Sequence, residues 1–471
     1  MQRIRKTRIV ATIGPASRDP QILEKLILAG VDVFRVNLSH GTQEDHKIAI
    51  DAIRAAAKNL DRVVGILADL CGPKIRVGKF KDGSITLNQG ESVTITTRDV
   101  VGEPGLIVSQ YRELHRDLRV GDRILFDDGL LEAVVESTNG SELKAKVIHG
   151  GLLKERKGIN LPGARLSVGA LTPKDRDDAK FAIAAQVDYL ALSFVRQAED
   201  IESLRELIVE QGATTPIIAK IEKCEALEKI DAIVEAADGL MVARGDLGVE
   251  FPLEKVPIVQ RDLVLRARAH SKPVIVATQM LESMIQHPRP TRAEVSDATT
   301  AVIMGTDAVM LSAETAVGLY PVEAVEMLDR IAIEAEAWQR LLPPITDPFL
   351  LHGAQQSVLR PAVARATMQL ARDLSVGAIV VRSLGGRSAA VVSSTRPHMP
   401  ILALTTSAET QRRLQLFRGV MPCLVSPEEF NQPRPVARNL ARKLGLVQAG
   451  EYILLLAGFG REEPTLTALP V

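Results

Sequence analysis

Short apolar runs recur through the first two-thirds of the chain, at 7–13, 31–37, 63–69, 187–194, 216–222, 239–245, 273–280 and 307–314. Segments with helical spacing of apolar residues separate most of them, among them 20–29, 44–59, 198–211 and 256–270. Eight strands alternating with helices predict a parallel sheet, and eight is the number that closes a (β/α)8 TIM barrel of the α/β class. One interval breaks this rhythm. Residues 73–170 carry short alternating runs (SITL, SVTITT, DRILF, LEAVVES, ELKAKVI) separated by DG, NG and GG turn signals, the pattern of an inserted all-β domain.

After a helix that ends near Trp338, the stretch LLPPITDPFLLHG is proline-rich and reads as a linker. Beyond it, a helix over 362–374 and the strands AIVV, ILAL, CLV and YILLL predict a second α/β unit. The expected organisation is a catalytic barrel over 1–72 and 171–347, an inserted β-barrel lid domain over 73–170, and a C-terminal α/β regulatory domain over 348–471. No sequence-level repeat and no low-complexity segment stands out.

Composition narrows the function. Of 471 residues, 46% are apolar and 25% charged, ordinary globular values. Lys plus Arg and Asp plus Glu each total 58, so no global field attracts nucleic acid or an anionic membrane, and anion binding must come from local clusters. No run of about 18 apolar residues occurs and the N-terminus lacks a signal-peptide core, so a soluble, cytoplasmic protein is expected. Three widely spaced cysteines, Cys71, Cys224 and Cys423, fit a reducing compartment without disulfides or a zinc site. Cys71 reads as a packed thiol and not a reactive one.

In a (β/α)8 barrel the reacting groups gather at the C-terminal ends of the strands. The stretch PIIAKIE ends with Lys220 and Glu222, two residues apart and therefore on one side of the strand. Other strands end in FRVNLSHG, LADLCGPKIR, MVARGDLG, VATQM and LSAET, so at least six deliver polar residues to one rim. Glu222 and Asp246 are hard oxygen donors suited to Mg²⁺, which keeps waters and binds substrate phosphate. Arg35 and Lys220 supply positive charge for a transferring phosphoryl group. Backbone N–H groups of the Arg244-Gly245-Asp246 turn suit a carboxylate or phosphate. Together these point to an anionic substrate bridged to protein by a divalent metal.

At this point the chain resembles the pyruvate kinase family. The matching stretches are TRIVATIGPAS (7–17), FRVNLSHG (34–41), DLCGPKIRVG (69–78), KGINLPG (157–163), KIE (220–222), MVARGDLGVE (241–250), VATQMLESM (276–284), PRPTRAEVSD (288–297) and LSAETAVGLYP (311–321). The resemblance implies phosphoryl transfer from phosphoenolpyruvate to ADP, giving pyruvate and ATP. It implies Glu222 and Asp246 as Mg²⁺ ligands, with Mn²⁺ as a substitute, and Lys220 as the cation that stabilises the phosphoryl group and the enolate. Arg35 would hold the phosphoryl end, Gly245 and Asp246 backbone groups the carboxylate, and Thr278 would stand beside the carbon that is protonated. His40, Arg76 and Lys157 match nucleotide phosphate contacts.

Asn37, Ser39, Asp69 and the Leu70 carbonyl match a monovalent-cation cage. Many members of the family carry glutamate in GPEIR where this chain reads GPKIR, with Lys74. A lysine ammonium there supplies a compact charge of the same sign, so activity without K⁺ is expected. In the C-terminal unit, Ser383, Gly385, Gly386, Arg387 and Ser388 form a Gly-rich turn where the family binds phosphorylated allosteric effectors. A homotetramer is also implied. Two other readings stand beside this one: an inactive relative kept as a metabolite-binding regulator, and a different Mg²⁺-dependent barrel enzyme such as an aldolase. Intact Arg35, Lys220, Glu222, Asp246 and Thr278 weigh against the first, and the insert with KGINLPG against the second.

Overall fold

The computed structural model describes residues 5–164, 166–341, 359–459 and 463–471. Eight parallel strands, β1 (Arg8–Thr12), β2 (Val33–Asn37), β3 (Gly65–Asp69), β4 (Tyr189–Leu192), β5 (Ile217–Ile221), β6 (Gly239–Ala243), β7 (Val274–Ala277) and β8 (Ala308–Leu311), close into a barrel in chain order. All eight apolar runs are strands of the barrel. Val10, Val33, Leu67, Ile218, Met241, Ile275 and Met310 fill its interior, while Ile9, Phe34, Ile66, Leu190, Val242 and Val309 pack outward against helices. Both faces of each strand are thereby removed from water, which is why the runs are almost uninterruptedly apolar. The outer helices begin on strong signals: Thr42, Thr172 and Thr291 each form a capping box with an acidic residue three positions on.

The floor of the barrel carries a repeat that the sequence reading missed. An aspartate precedes each even strand: Asp32, Asp188, Asp238 and Asp307. Each carboxylate accepts from an amide at the start of the preceding odd strand, the second residue of β1 and β3 and the first of β5 and β7, at 2.8 Å from Ile9, Ile66 and Ile217 and 3.2 Å from Val274. Each aspartate N–H donates to the carbonyl of that same residue. The unit is therefore two strands, held at its start by one side chain that satisfies an otherwise unpaired amide.

Between β3 and β4 the chain forms a six-stranded and a two-stranded sheet over a separate apolar core that includes Val77, Ile95, Phe126 and Leu143. Three short strands there, Leu106–Val108, Gly151–Lys154 and Ile159–Asn160, were not anticipated, nor was the helical turn Leu114–Asp117. The C-terminal unit is a five-stranded sheet whose last strand, Thr465–Pro470, runs antiparallel. Most of the proline-rich stretch at 341–353 lies outside the described residues.

Candidate active site

β5 is wholly buried and ends at the rim with Lys220 and Glu222, both largely excluded from water. Lys220 Nζ lies 2.9 Å from Glu222 Oε1 and 3.2 Å from Asp69 Oδ1, and donates to Ser193 Oγ at 2.6 Å. Asp69, at the end of β3, also takes Arg35 Nε at 2.7 Å, and Arg35 reaches Thr12 Oγ1 at 3.2 Å. Strands β1 to β5 thus contribute to one charged cluster at the rim.

Burial alone would strip Lys220 of its proton, but Asp69 and Glu222 outweigh it and hold the ammonium charged well above the ordinary lysine range. Asp69 shows the converse: burial pushes it up, and Lys220 with Arg35 pull it below the usual carboxylate range. Glu222 is raised, by burial first and then by the neighbouring carboxylates of Asp246 and Asp69, against the pull of Lys220. Lys220 is shared between Glu222 and Asp69, and a divalent cation between Glu222 and Asp246 would add countercharge for the second carboxylate. No group of three or more His, Cys, Asp or Glu side chains among the described residues is arranged to hold a metal. Two hard protein ligands fit Mg²⁺ or Mn²⁺ completed by water and substrate oxygens.

Asp246 lies in the first turn of the helix Arg244–Glu250, which starts directly after β6. Arg244 is fixed by Asp297 at 2.5 Å and donates to the Thr278 carbonyl at 2.6 Å. Thr278 and Gln279 adopt left-handed backbone, φ +69° and +54°, conformations that non-glycine residues rarely hold without support. The Gly245 N–H donates to Thr278 Oγ1 at 2.7 Å, so one of the two backbone groups expected to meet a carboxylate is engaged with Thr278 here.

His40 is exposed at the rim, and its imidazole is pulled below the ordinary histidine range first by partial burial and then by Arg76, Lys74, Arg35 and Lys174. Arg76, Lys74, Arg35 and Lys174 therefore lie near enough to His40 to bear on its charge. Lys157 pairs with Asp127 at 2.8 Å, and Arg76 bridges the neighbouring Gly158. Of the expected cation cage, Asn37 Oδ1 accepts from the Ser39 amide at 3.2 Å, Asp69 is paired as above, and the Leu70 carbonyl accepts from Ser193 Oγ at 2.7 Å. Lys74 is exposed and lines the cleft between barrel and insert together with Asp128, Asn160, Phe194, Lys223 and Asp246. In the C-terminal unit, Gly386, φ +85°, caps the helix Arg387–Ser394. Ser383 is buried and accepts from the Ala389 amide at 3.1 Å, Gly385 and Arg387 are exposed, and Ser388 is half-buried.

The sequence reading passed over Ser193, which touches Lys220, the Leu70 carbonyl and Asp69. Its signal was present: a hydroxyl immediately after the apolar run YLAL, at the end of one of the two barrel strands, β1 and β4, that did not figure among the polar rim endings.

The family model described as "Pyruvate kinase, barrel domain" matches residues 4–325, and "Pyruvate kinase, alpha/beta domain" matches 361–469. Pyruvate kinases of Staphylococcus aureus, strains MRSA252 and N315, are each 44% identical to the chain over 458 residues, covering 97% of it and 78% of the relative. A solved pyruvate kinase structure from Cryptosporidium parvum superposes with a TM-score of 0.92 at 34% identity, covering 99% of this chain and 96% of that one.

Proposed function

The chain belongs to the pyruvate kinase family, phosphotransferases that act on phosphoenolpyruvate and ADP to give pyruvate and ATP, and from that premise we propose which of its residues carry the reaction. The observation that bears most weight is the buried, fully charged Lys220 held between Asp69 and Glu222 at the end of β5. A cation fixed in a water-poor site stabilises charge developing on a transferring phosphoryl group and on the enolate oxygen left behind, without reorganising at the moment of reaction. Arg35 holds the phosphoryl end, positioned by Asp69 and Thr12. The amide of Asp246, with that of Gly245 once released by Thr278, receives the carboxylate. Thr278, aimed by Arg244, stands beside the methylene carbon that takes up a proton.

Glu222 and Asp246 hold Mg²⁺ or Mn²⁺, which when bound neutralises phosphate charge and aligns the two substrates. His40, Arg76 and Lys157 meet the nucleotide phosphates. The inserted unit closes as a lid that excludes water, so the phosphoryl group passes to ADP and not to solvent. Lys74 supplies the charge otherwise brought by K⁺ in the Asn37, Ser39, Asp69 and Leu70 cage. The turn Ser383 to Ser388 binds a phosphorylated effector, and the enzyme acts as a cytoplasmic homotetramer; no helix among the described residues is long and apolar enough to cross a membrane.

Lys220→Met tests the assignment. Pyruvate formation should fall by at least about a thousandfold, the scale of losing a preorganised electrostatic group. Circular dichroism should remain that of the wild type. Turnover within tenfold of wild type would remove Lys220 from the chemistry.

A further inference from the structure

The four residues after β4, Ser193 to Arg196, touch the reacting centre and both chain segments that enter and leave the insert. On the side of the centre, Ser193 Oγ accepts from Lys220 Nζ at 2.6 Å and the Phe194 amide donates to Glu222 Oε2 at 2.9 Å. On the outgoing segment, the Phe194 ring lies against Gly72: a Cβ there would fall 2.6 Å from Phe194 Cδ2, and Gly72 has φ +68°. On the returning segment, Arg196 donates to the carbonyls of Leu166 and Val168 at 2.7 and 2.6 Å. Phe194 itself is held at φ +56°, a strained backbone for an aromatic residue. Its ring also faces Lys223 Nζ at 5.8 Å. The Lys223 ammonium is paired with the buried Glu250, which in turn is 3.5 Å from Asn160 Nδ2 of the insert.

We propose that Phe194 and Arg196 are positioning residues that couple the orientation of the inserted unit to the placement of Lys220 and Glu222. The turn is short and braced at each end, so a shift of either connecting segment must be absorbed by the turn or passed to the Phe194 amide and Ser193 hydroxyl. Contacts on both sides of the turn favour passing it on, because packed elements shift between discrete arrangements and do not deform continuously. Closure over substrate therefore tightens the contacts to Lys220 and Glu222, and opening loosens them. This rests on the proposed closure of the insert over phosphoenolpyruvate and ADP.

The test is hydrogen exchange on the intact protein, wild type, Arg196→Gln and Phe194→Leu, with and without phosphoenolpyruvate and Mg²⁺, alongside steady-state kinetics. Ligand should slow exchange at 73–80 and 158–168 in the wild type. In both variants that slowing should shrink about tenfold, with kcat reduced by a similar factor. Exchange along Ile217–Ile221 without ligand should stay unchanged. Full ligand-induced slowing in both variants would overturn the proposal, as would faster exchange of Ile217–Ile221 without ligand, since that reduces the turn to a structural support. Loss of pyruvate formation in the wild type would count against the proposed reaction and not against the coupling, which the response of the connecting segments decides by itself.

Discussion

At the scale of single residues the site is an electrostatic arrangement. Lys220 would be a poor ammonium in an apolar strand end, and it is charged only because Asp69 and Glu222 face it. Lys74 stands in a different setting. It is exposed on the connecting segment, close enough to His40 to help lower the pKa of that imidazole, and four residues beyond Leu70. If its ammonium supplies the charge of a monovalent cation, Lys74→Glu should make pyruvate formation depend on K⁺. Without K⁺ the variant should lose at least about tenfold in rate, one decade per 1.4 kcal/mol of lost charge stabilisation, and added KCl should restore it. The same K⁺ response in wild type and variant would remove Lys74 from the role. Lys220 and Glu222 were legible in the sequence because charged residues at the end of an apolar run are conspicuous, whereas Asp69 stood out only through the family resemblance, as a cage residue and not as the partner of Lys220. Ser193 was not legible, because a serine there looks like any strand terminus until its three partners, from β3 and β5, are brought to it by closure of the barrel.

At the scale of elements, the apolar runs located every barrel strand but overran all of them. The run 273–280 contains the strand Val274–Ala277, and the excess includes Thr278 and Gln279, which leave the strand with positive φ. The run 239–245 likewise ends at Ala243, where Arg244 turns into a helix. The residues turn polar at these positions as the backbone changes direction, and the proposed chemistry falls on them. The aspartate repeat at the barrel floor was hidden for a different reason: one Asp before a strand is a common turn residue, and only the pairing of strands shows that all four do the same work. The four are not equivalent. Asp307 is buried and holds Arg396 and the Arg418 amide as well as Val274, whereas the Asp238 side chain is 41% exposed and pairs with a single Arg205. Removing one partner of a buried pair leaves the other charge uncompensated, at a cost of about 3–5 kcal/mol, against about 1 kcal/mol for a half-exposed pair. Asp307→Ala should therefore destabilise at least about 2 kcal/mol more than Asp238→Ala in urea unfolding; equal midpoints would show that the floor contacts are interchangeable surface pairs.

At the scale of the whole molecule, the two ends of the barrel serve different partners. The rim opens toward the inserted unit, and the floor receives the C-terminal unit. Arg412 pairs with Asp188, Arg396 with Asp307, and Arg8 joins Asp32 to the carbonyls of Phe417 and Val420. Tyr189 donates to the Arg413 carbonyl at 2.7 Å. In the centre of this ring Leu416 enters the barrel's interior core beside Val10, Val33, Leu67 and Met310, fully buried. No local pattern announces a plug contributed from a hundred or more residues downstream of the strands it fills. Its consequence is that the barrel interior is incomplete without the C-terminal unit. Leu416→Ala should cost about 2–5 kcal/mol, the range for emptying a packed core position that cannot collapse. Leu28→Ala, on the exposed face of the helix Pro20–Ala29, should stay within about 0.5 kcal/mol. Hydrogen exchange should place the loss at the floor, with the amides of Ile9, Ile66 and Val274 opening faster in Leu416→Ala while those of the inserted sheets keep their rates. If instead only the C-terminal sheet exchanged faster, Leu416 would be part of that unit's own core, and the barrel would be closed without it.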